Sequence, residues 1–444
     1  MHFRRKIDEA LRRWRREPAR GPLLVDGLTG SGKTTAVLAF AKANVGHTVY
    51  VNCSAEPRLA RLFHGATSID QLVTGLSAEL HEPASFVPGD TVIVLDDVDP
   101  SQEVLTALRL FKADGRYDVI AVSSLAWESF SISSGEFTRL RLLPMDFEEF
   151  LWAHHFPESA LDLLRESIAT ETPVPEPLHS RLQELFLTYA VVGGMPAAVE
   201  TFLETHNLGT VRDVQLAILD ECQRRLVSVS RQAGRKDLRA EKIRRCWDAI
   251  PMQLEKANKK FQYALLEKGA RAGDWLGVID ALETAGLVTR CRRIGKTALP
   301  LEETVEDGIF KLYSADIGLF MAMLKRQTTA DVLFASLSGG RGAVAESLVA
   351  DLLSKAGVPF FYFRKASGLE LPFLIDHQGH CVPLEFKAKD GNAKSLKTVL
   401  RERQTYHLDR AIKVGLTNIE RSGSVLSIPF YALGFFPAFC ATAD

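Results

Sequence analysis

The stretch Gly27–Thr34 reads GLTGSGKT and fits the pattern G-x-x-x-x-G-K-[ST] at every fixed position. Such a loop constrains the fold, because it works only between a strand and a helix. Its flanks comply: Leu23, Leu24 and Val25 form an apolar run ending in Asp26 and Gly27. After Lys33 comes TTAVLAFAKAN, with Val37, Leu38, Phe40 and Ala41 spaced for one helix face. Strand, glycine loop and helix together suit a triphosphate. Gly27, Gly30 and Gly32 let the backbone turn N–H groups inward, and the helix N-terminus adds unpaired donors and its dipole. The nucleotide contacts assigned on this basis are Gly27, Leu28, Thr29, Gly30, Ser31, Gly32, Lys33, Thr34 and Thr35. Lys33 would reach the β- and γ-phosphates of ATP, and the Thr34 hydroxyl would ligate Mg²⁺.

The chain has 444 residues, enough for about two to four domains. Hydrophobic residues make up 46% and charged residues 25%, so core material is ample. A net charge of −1 supplies no global field toward nucleic acid or membrane, and any such contact must be local. The six cysteines are scattered with no C-x-x-C spacing, which suits a reducing compartment and argues against a zinc ribbon. No apolar run is long enough to span a bilayer, and the N-terminus lacks the apolar region of a signal peptide. The expected location is the cytoplasm, with no membrane partner.

Residues 1–20 are rich in arginine, with Ile7, Leu11 and Trp14 at helical spacing. Acidic residues interrupt the basic run, so the favoured reading is an amphipathic helix docked on the core with its arginines solvated, against a nucleic-acid or targeting helix. Residues 21–155 then alternate apolar runs (Leu23–Asp26, Thr48–Asn52, Thr91–Leu95, Val119–Ser123, Leu140–Leu143) with helical stretches. That alternation predicts a parallel sheet covered on both faces. The third run, TVIVLDDVD, delivers Asp96 and Asp97 at a strand's C-terminal edge, where ligands bind in such sheets. Asp96 would hold Mg²⁺, usually through water, and Asp97 would polarise the attacking water. Arg139 and Arg141 share a strand face and read as solvated, with phosphate contact by one of them the alternative.

Residues 146–235 read as helical, and VVGGMPAAV (Val191–Val199) as a helix stop, a packed corner and a new helix opened by Pro196. Residues 236–325 read as a separate small domain of helices ending in a two-stranded wing. Lys259, Lys260, Lys268, Arg271, Arg290, Arg292 and Arg293 make 256–296 locally basic, so weak, non-specific DNA contact is the functional reading and a solvated connector the plainer one. Beyond residue 340, a helix and several strands lead to Glu385-Phe386-Lys387, an E-x-K triplet with its acid and lysine on one face. A metal-dependent phosphodiesterase also needs an acid on the preceding strand. By hairpin register that position is Pro372, with Glu370 and Asp376 near it and Glu346 on the preceding helix as a further acid. His377, His380 and Cys381 have zinc-ligand chemistry, but neighbours in a hairpin point to opposite faces, which argues against a site there.

Taken together, GLTGSGKTT, TVIVLDDVD, DGRYDVIAVSS, LLPMDFEEFL, VVGGMPAAV, KANKKFQYALLEKGAR, FKLYSADIGLF, GAVAESLVADLL and PLEFKAK resemble the prokaryotic AAA-type P-loop ATPases that carry a C-terminal restriction-endonuclease-like domain. The resemblance implies an α/β protein. It would have a P-loop NTPase core over 1–155, a helical lid over 156–235, a winged-helix-like domain over 236–330 and a PD-(D/E)xK nuclease-like domain over 331–444. It also implies that the strand ending in Ser123 and Ser124 lies between the two motif strands and offers one of these serines as a γ-phosphate sensor; a plain strand end is the equal alternative. Two departures matter. Asp97 stands where the family usually has Glu, which would slow hydrolysis, and Pro372 stands where a metal-binding acid is expected, which would leave the tail without cleavage. The expected function is an ATP- and Mg²⁺-dependent ATPase with a degenerate tail that offers a surface to a protein partner. The alternatives are a non-hydrolysing ATP switch and an ATP-controlled nuclease.

Overall fold

The computed structural model describes residues 2–18, 20–63, 65–80, 86–98, 102–125, 136–232, 240–324, 342–386 and 394–435. They divide into two compact units, 1–143 with 284–286, and 144–283 with 287–444.

In the first unit β1 (Leu23–Asp26), β2 (His47–Asn52), β3 (Thr91–Asp96), β4 (Asp118–Ser123) and β5 (Thr138–Arg141) form one sheet in the order β2-β3-β4-β1-β5. Every pairing is parallel. Strand alternation sends Leu23, Val25, Val92, Val94, Ile120 and Val122 to one face. There they pack on α1 (Lys6–Arg16) and α2 (Lys33–Asn44) through Ile7, Leu11, Trp14, Val37 and Phe40. Leu24, Ile93, Leu95, Val119 and Ala121 turn to the other face, beneath α3 (Pro57–Leu62), α4 (Ile69–Glu79) and α5 (Gln102–Asp114). A sheet buried on both faces explains why its strands read as continuous apolar runs. β4 lies between β1 and β3, the order that the resemblance implies. The expected fifth strand is displaced: it opens at Thr138 and stops at Arg141, because Pro144 has no N–H with which to continue the ladder.

In the second unit the corner Val191–Val199 forms as its residues suggest. One helix (Glu176–Val192) stops, Gly193 takes φ +72°, and Pro196 opens the next (Pro196–Thr205). Gly194 donates its N–H to Asp316 Oδ2 at 2.8 Å, and a Cβ on it would run into the Met145 carbonyl. The strands β6 (Val288–Ile294), β7 (Val305–Ser314), β8 (Phe361–Arg364), β9 (Glu370–His377), β10 (His380–Phe386), β11 (Ala411–Gly415), β12 (Glu420–Ser422) and β13 (Val425–Pro429) make a second sheet, ordered β12-β13-β11-β10-β9-β8-β6-β7. The expected wing is thus not free-standing. β6 and β7 do pair antiparallel, but the other edge of β6 pairs with β8, which satisfies backbone groups that an exposed strand would leave open.

A polar cluster sits inside this unit. Lys355 Nζ lies 2.8 Å from Asp316 Oδ2, 2.9 Å from Asp351 Oδ1 and 2.9 Å from the Tyr189 hydroxyl. Asp316 also caps the helix Ile317–Met323 through Leu319 N–H, and Asp351 accepts the Ile317 N–H. All four side chains are essentially without solvent contact. Two carboxylates share one ammonium, so the cluster is a negative charge in excess. No single described helix is long and apolar enough to cross a membrane; the bent pair Glu176–Val192 and Pro196–Thr205 meets the length and composition for one, with most of its apolar side chains in the core.

Burial and the neighbouring Asp316 push the Asp351 carboxyl up to about 7, against the pull of Lys355. An acid raised in the folded state holds a proton that the unfolded chain has already lost. Its contribution to stability is therefore greatest below the ordinary value of 3.8 and is lost as pH rises to about 7. Asp351→Asn removes that titration. Urea unfolding at a series of pH values should show the parent losing stability relative to Asp351→Asn across this window, with a constant difference above it; a difference flat throughout would contradict the assignment.

Candidate functional site

The glycine loop spans β1 and α2. Gly27, Gly30 and Gly32 hold φ of +152°, +82° and +93°, conformations that side chains with a Cβ rarely adopt. A Cβ on Gly27 would strike the Leu142 carbonyl, so this position needs glycine for space as well as for backbone angle. Leu28 and Ser31 are buried, Thr29 and Thr34 are half-buried, and Gly30 and Thr35 are exposed. The Ser31 N–H donates to Leu28 O at 3.0 Å and closes the turn. The first N–H groups of α2, from Lys33 onward, have no acceptor within the helix, which is the donor set an anion uses.

Lys33 is buried and donates to the Gly27 and Leu28 carbonyls, both at 2.9 Å. The Thr34 hydroxyl lies 3.0 Å from each carboxylate oxygen of Asp96. Thus α2 and β3 bring together the hydroxyl and the acid that the sequence pairs around Mg²⁺. Hard oxygen donors of this kind, few enough to leave room for water and phosphate, fit that ion. Among the described residues no group of three or more His, Cys, Asp or Glu side chains could hold a metal. Asp97 is half-buried at φ +53°, a left-handed conformation that turns the chain immediately after β3.

Several assignments need correction. Arg5 is not solvated: it is 5% exposed and donates to Ser31 O at 2.9 Å and Leu143 O at 2.8 Å. Arg15 and Arg20 pair with Asp118. Arg139 and Arg141 face Asp26, at 3.9 and 3.5 Å, because parallel pairing sets Asp26 opposite Arg141. Ser123, the candidate γ-phosphate sensor, ends β4, and its hydroxyl accepts the Leu125 N–H at 3.0 Å while its own O–H can still donate. Sequence reasoning missed Tyr50, whose hydroxyl donates to Asp96 Oδ2 at 2.7 Å. Its position in β2, two residues before the strand end, is the only signal. Burial and the Asp96 hydrogen bond raise the Tyr50 hydroxyl to about 12, so it stays a donor at neutral pH.

In the second unit the basic segment loses three of its cations to local partners: Lys259 pairs with Glu346, Arg290 with Asp280 and Glu283, and Arg293 with Glu306. The β9–β10 hairpin has the expected register. His377 pairs with His380 and Leu384 with Phe373, the last paired rung, and β9 shifts register against β8 between Leu371 and Leu374, beside Pro372. Glu346 does not supplement Glu385. It is buried and is held by Lys311 at 2.8 Å, by Lys259 and by the Tyr313 hydroxyl. Lys311 also bonds Glu370 at 2.7 Å. Tyr313 packs on Phe373, and Phe373 on Phe386, so this group lies on the Phe386 face of the sheet. Glu385 alternates with Phe386 and so faces the other side, with Cys381. Burial disfavours the Glu346 carboxylate, but Lys311 and Lys259 outweigh it and hold its pKa below the ordinary value. Lys387 lies outside the described residues.

Residues 19–151 match the family model described as AAA domain. Residues 183–330 and 341–431 match two models described as domains of unknown function, DUF8612 and DUF4143. Among solved structures the chain is similar to the Walker-type ATPase PABY2304 of Pyrococcus abyssi, at 13% identity and a TM-score of 0.40, over 72% of this chain and 96% of that one. No curated protein matches. The AAA match covers the glycine loop, both acids and the parallel sheet, and supports a P-loop ATPase domain that binds ATP.

Gly27→Ala tests the geometry directly. Displacing the loop by the width of a methyl group should weaken ATP binding by about tenfold or more. Calorimetric titration with ATP reads the change, and unaltered affinity would show that the loop tolerates a side chain there.

Proposed function

We propose that the chain binds ATP with Mg²⁺ at Gly27–Thr35 and hydrolyses it. The observation that supports this most is the Thr34 hydroxyl 3.0 Å from both oxygens of Asp96, in the first turn of the helix that follows the glycine loop. Thr34 and Asp96 would hold the ion, whose chemistry is to neutralise charge on the phosphates. Lys33 would exchange the Gly27 and Leu28 carbonyls for phosphate oxygens, carrying its ammonium from neutral acceptors to charged ones. Asp97 would accept a hydrogen bond from the attacking water and orient it. Its side chain is one methylene shorter than that of glutamate, which favours slow turnover.

Lys33→Ala should lose about 1.5–3 kcal/mol of ATP binding, the worth of a charge-assisted contact. Asp97→Asn should keep ATP bound while phosphate release stops. Unchanged affinity in the first variant, by calorimetry, removes the binding reading. Parent-rate turnover in the second removes Asp97 as the residue that orients water. A parent that binds ATP and never releases phosphate would make it a nucleotide switch.

We read the C-terminal segment as a nuclease-like fold without cleavage activity that offers a surface to a protein partner. Support comes from Pro372, which the hairpin register continued past the Leu384–Phe373 rung would set against Glu385, and from Glu346 and Glu370 both bonded to Lys311. Incubating the chain with DNA and RNA in Mg²⁺ and then Mn²⁺ should give no cleavage. Cleavage that a Lys387→Ala control lacks would overturn this reading.

A further inference from the structure

We propose that Arg5, outside the AAA match, is a positioning residue for the phosphate loop, and that the nucleoside-triphosphate site therefore extends into the N-terminal helix. Ser31 stands between Gly30 and Gly32, both in left-handed conformations. Glycines on either side make its peptide groups free to turn over. In a planar trans peptide the C=O of Ser31 and the N–H of Gly32 point in opposite directions. Arg5 Nη1 holds the Ser31 carbonyl at 2.9 Å, and so the Gly32 N–H is turned away from Arg5 and kept available to a phosphate.

The arginine is itself fixed. Its second terminal nitrogen donates to Leu143 O at 2.8 Å, its backbone N–H donates to Asp8 Oδ2 at 2.9 Å, and α1 is docked through Ile7, Leu11 and Trp14. Three loop carbonyls are held by cations: Gly27 and Leu28 by Lys33, Ser31 by Arg5. When Lys33 turns to phosphate, it releases its two carbonyls. Arg5 does not reach for the ligand, and it continues to hold the third. The loop then keeps its shape while its lysine is in use.

This inference rests on the ATP reading above. Its test is the affinity of the full chain for ATP and AMP in the parent, Arg5→Ala, Arg5→Lys and the exposed control Arg12→Ala. Arg5→Ala should lose ATP affinity about tenfold or more and AMP affinity less, because the defect lies in the phosphate cradle. Added guanidinium ion should restore part of the ATP affinity in Arg5→Ala and none in Arg12→Ala, a response that general loosening of the helix would not give. Arg5→Lys keeps the charge and one of two carbonyl contacts, and should fall between parent and Arg5→Ala. Should Arg5→Ala not fold, Arg5→Lys carries the test, with reduced ATP affinity expected and parent affinity overturning the inference. Folded Arg5→Ala that binds ATP as the parent does overturns the inference and leaves the ATP reading intact. A parent that binds no ATP overturns both.

Discussion

A charge removed from water must find a partner, and the interior of this chain is arranged around a few that do. Lys33 and Arg5 are buried on the carbonyls of the glycine loop, Lys311 between Glu346 and Glu370, and Lys355 between Asp316 and Asp351. Arg5, Lys311 and Lys355 each bridge segments far apart in sequence, whereas Lys33 closes its own loop. Removing Lys311 or Lys355 leaves carboxylates stranded in the core, which typically costs more than the intact pairing contributes. The groups thus fix which segments meet, beyond what apolar packing alone would specify.

The two carboxylate groups of the second unit are charged differently. Around Lys355, two acids share one cation, so burial and Asp316 can push Asp351 up to about 7. Around Lys311, the cations Lys259, Lys311 and Arg364 face Glu346 and Glu370, and the excess positive charge holds Glu346 down. The same residue types therefore give one group that takes up a proton near neutrality and one that does not. The stretches VVGGMP, SADIGLF and LVADLLSK meet at the first, while KANKK, FKLYS and AVAES meet at the second. Outside the phosphate loop, half of the sequence's recognisable stretches serve to assemble these groups.

The sequence reveals the first unit almost residue by residue. Five apolar runs, a glycine loop and a helix with an apolar face are local patterns, and four of the five strands begin or end where those patterns do. Thr34 and Asp96 could be paired in advance because loop and strand each carry their own signature. Arg5 could not: an arginine at the start of a basic helix reads as solvated, and only the close approach of α1 to Ser31 buries it. Lys311 escapes for a similar reason. A lysine in a strand suggests a water-facing position, whereas here both faces of β7 are covered where it sits. The union of β6 with β8 joins segments about seventy residues apart, and no local pattern carries that information.

The face on which an acid lies decides what it can do. Leu384 and Phe373 form the last paired rung of β9 and β10, β9 shifts register against β8 beside Pro372, and alternation commits Glu385 to the side of Cys381. Glu346 and Glu370 are on the other side, joined by one lysine ammonium. For either to assist Glu385, its carboxylate would have to cross a sheet and leave buried Lys311 with only one of its two carboxylate partners. A divalent cation could replace that ammonium only if Lys311 moved out, yet its aliphatic stem and the Tyr362 ring against its ammonium keep it inside. Glu346 and Glu370 thus tie β7, β9 and the helix Gly342–Lys355 together through one buried ammonium.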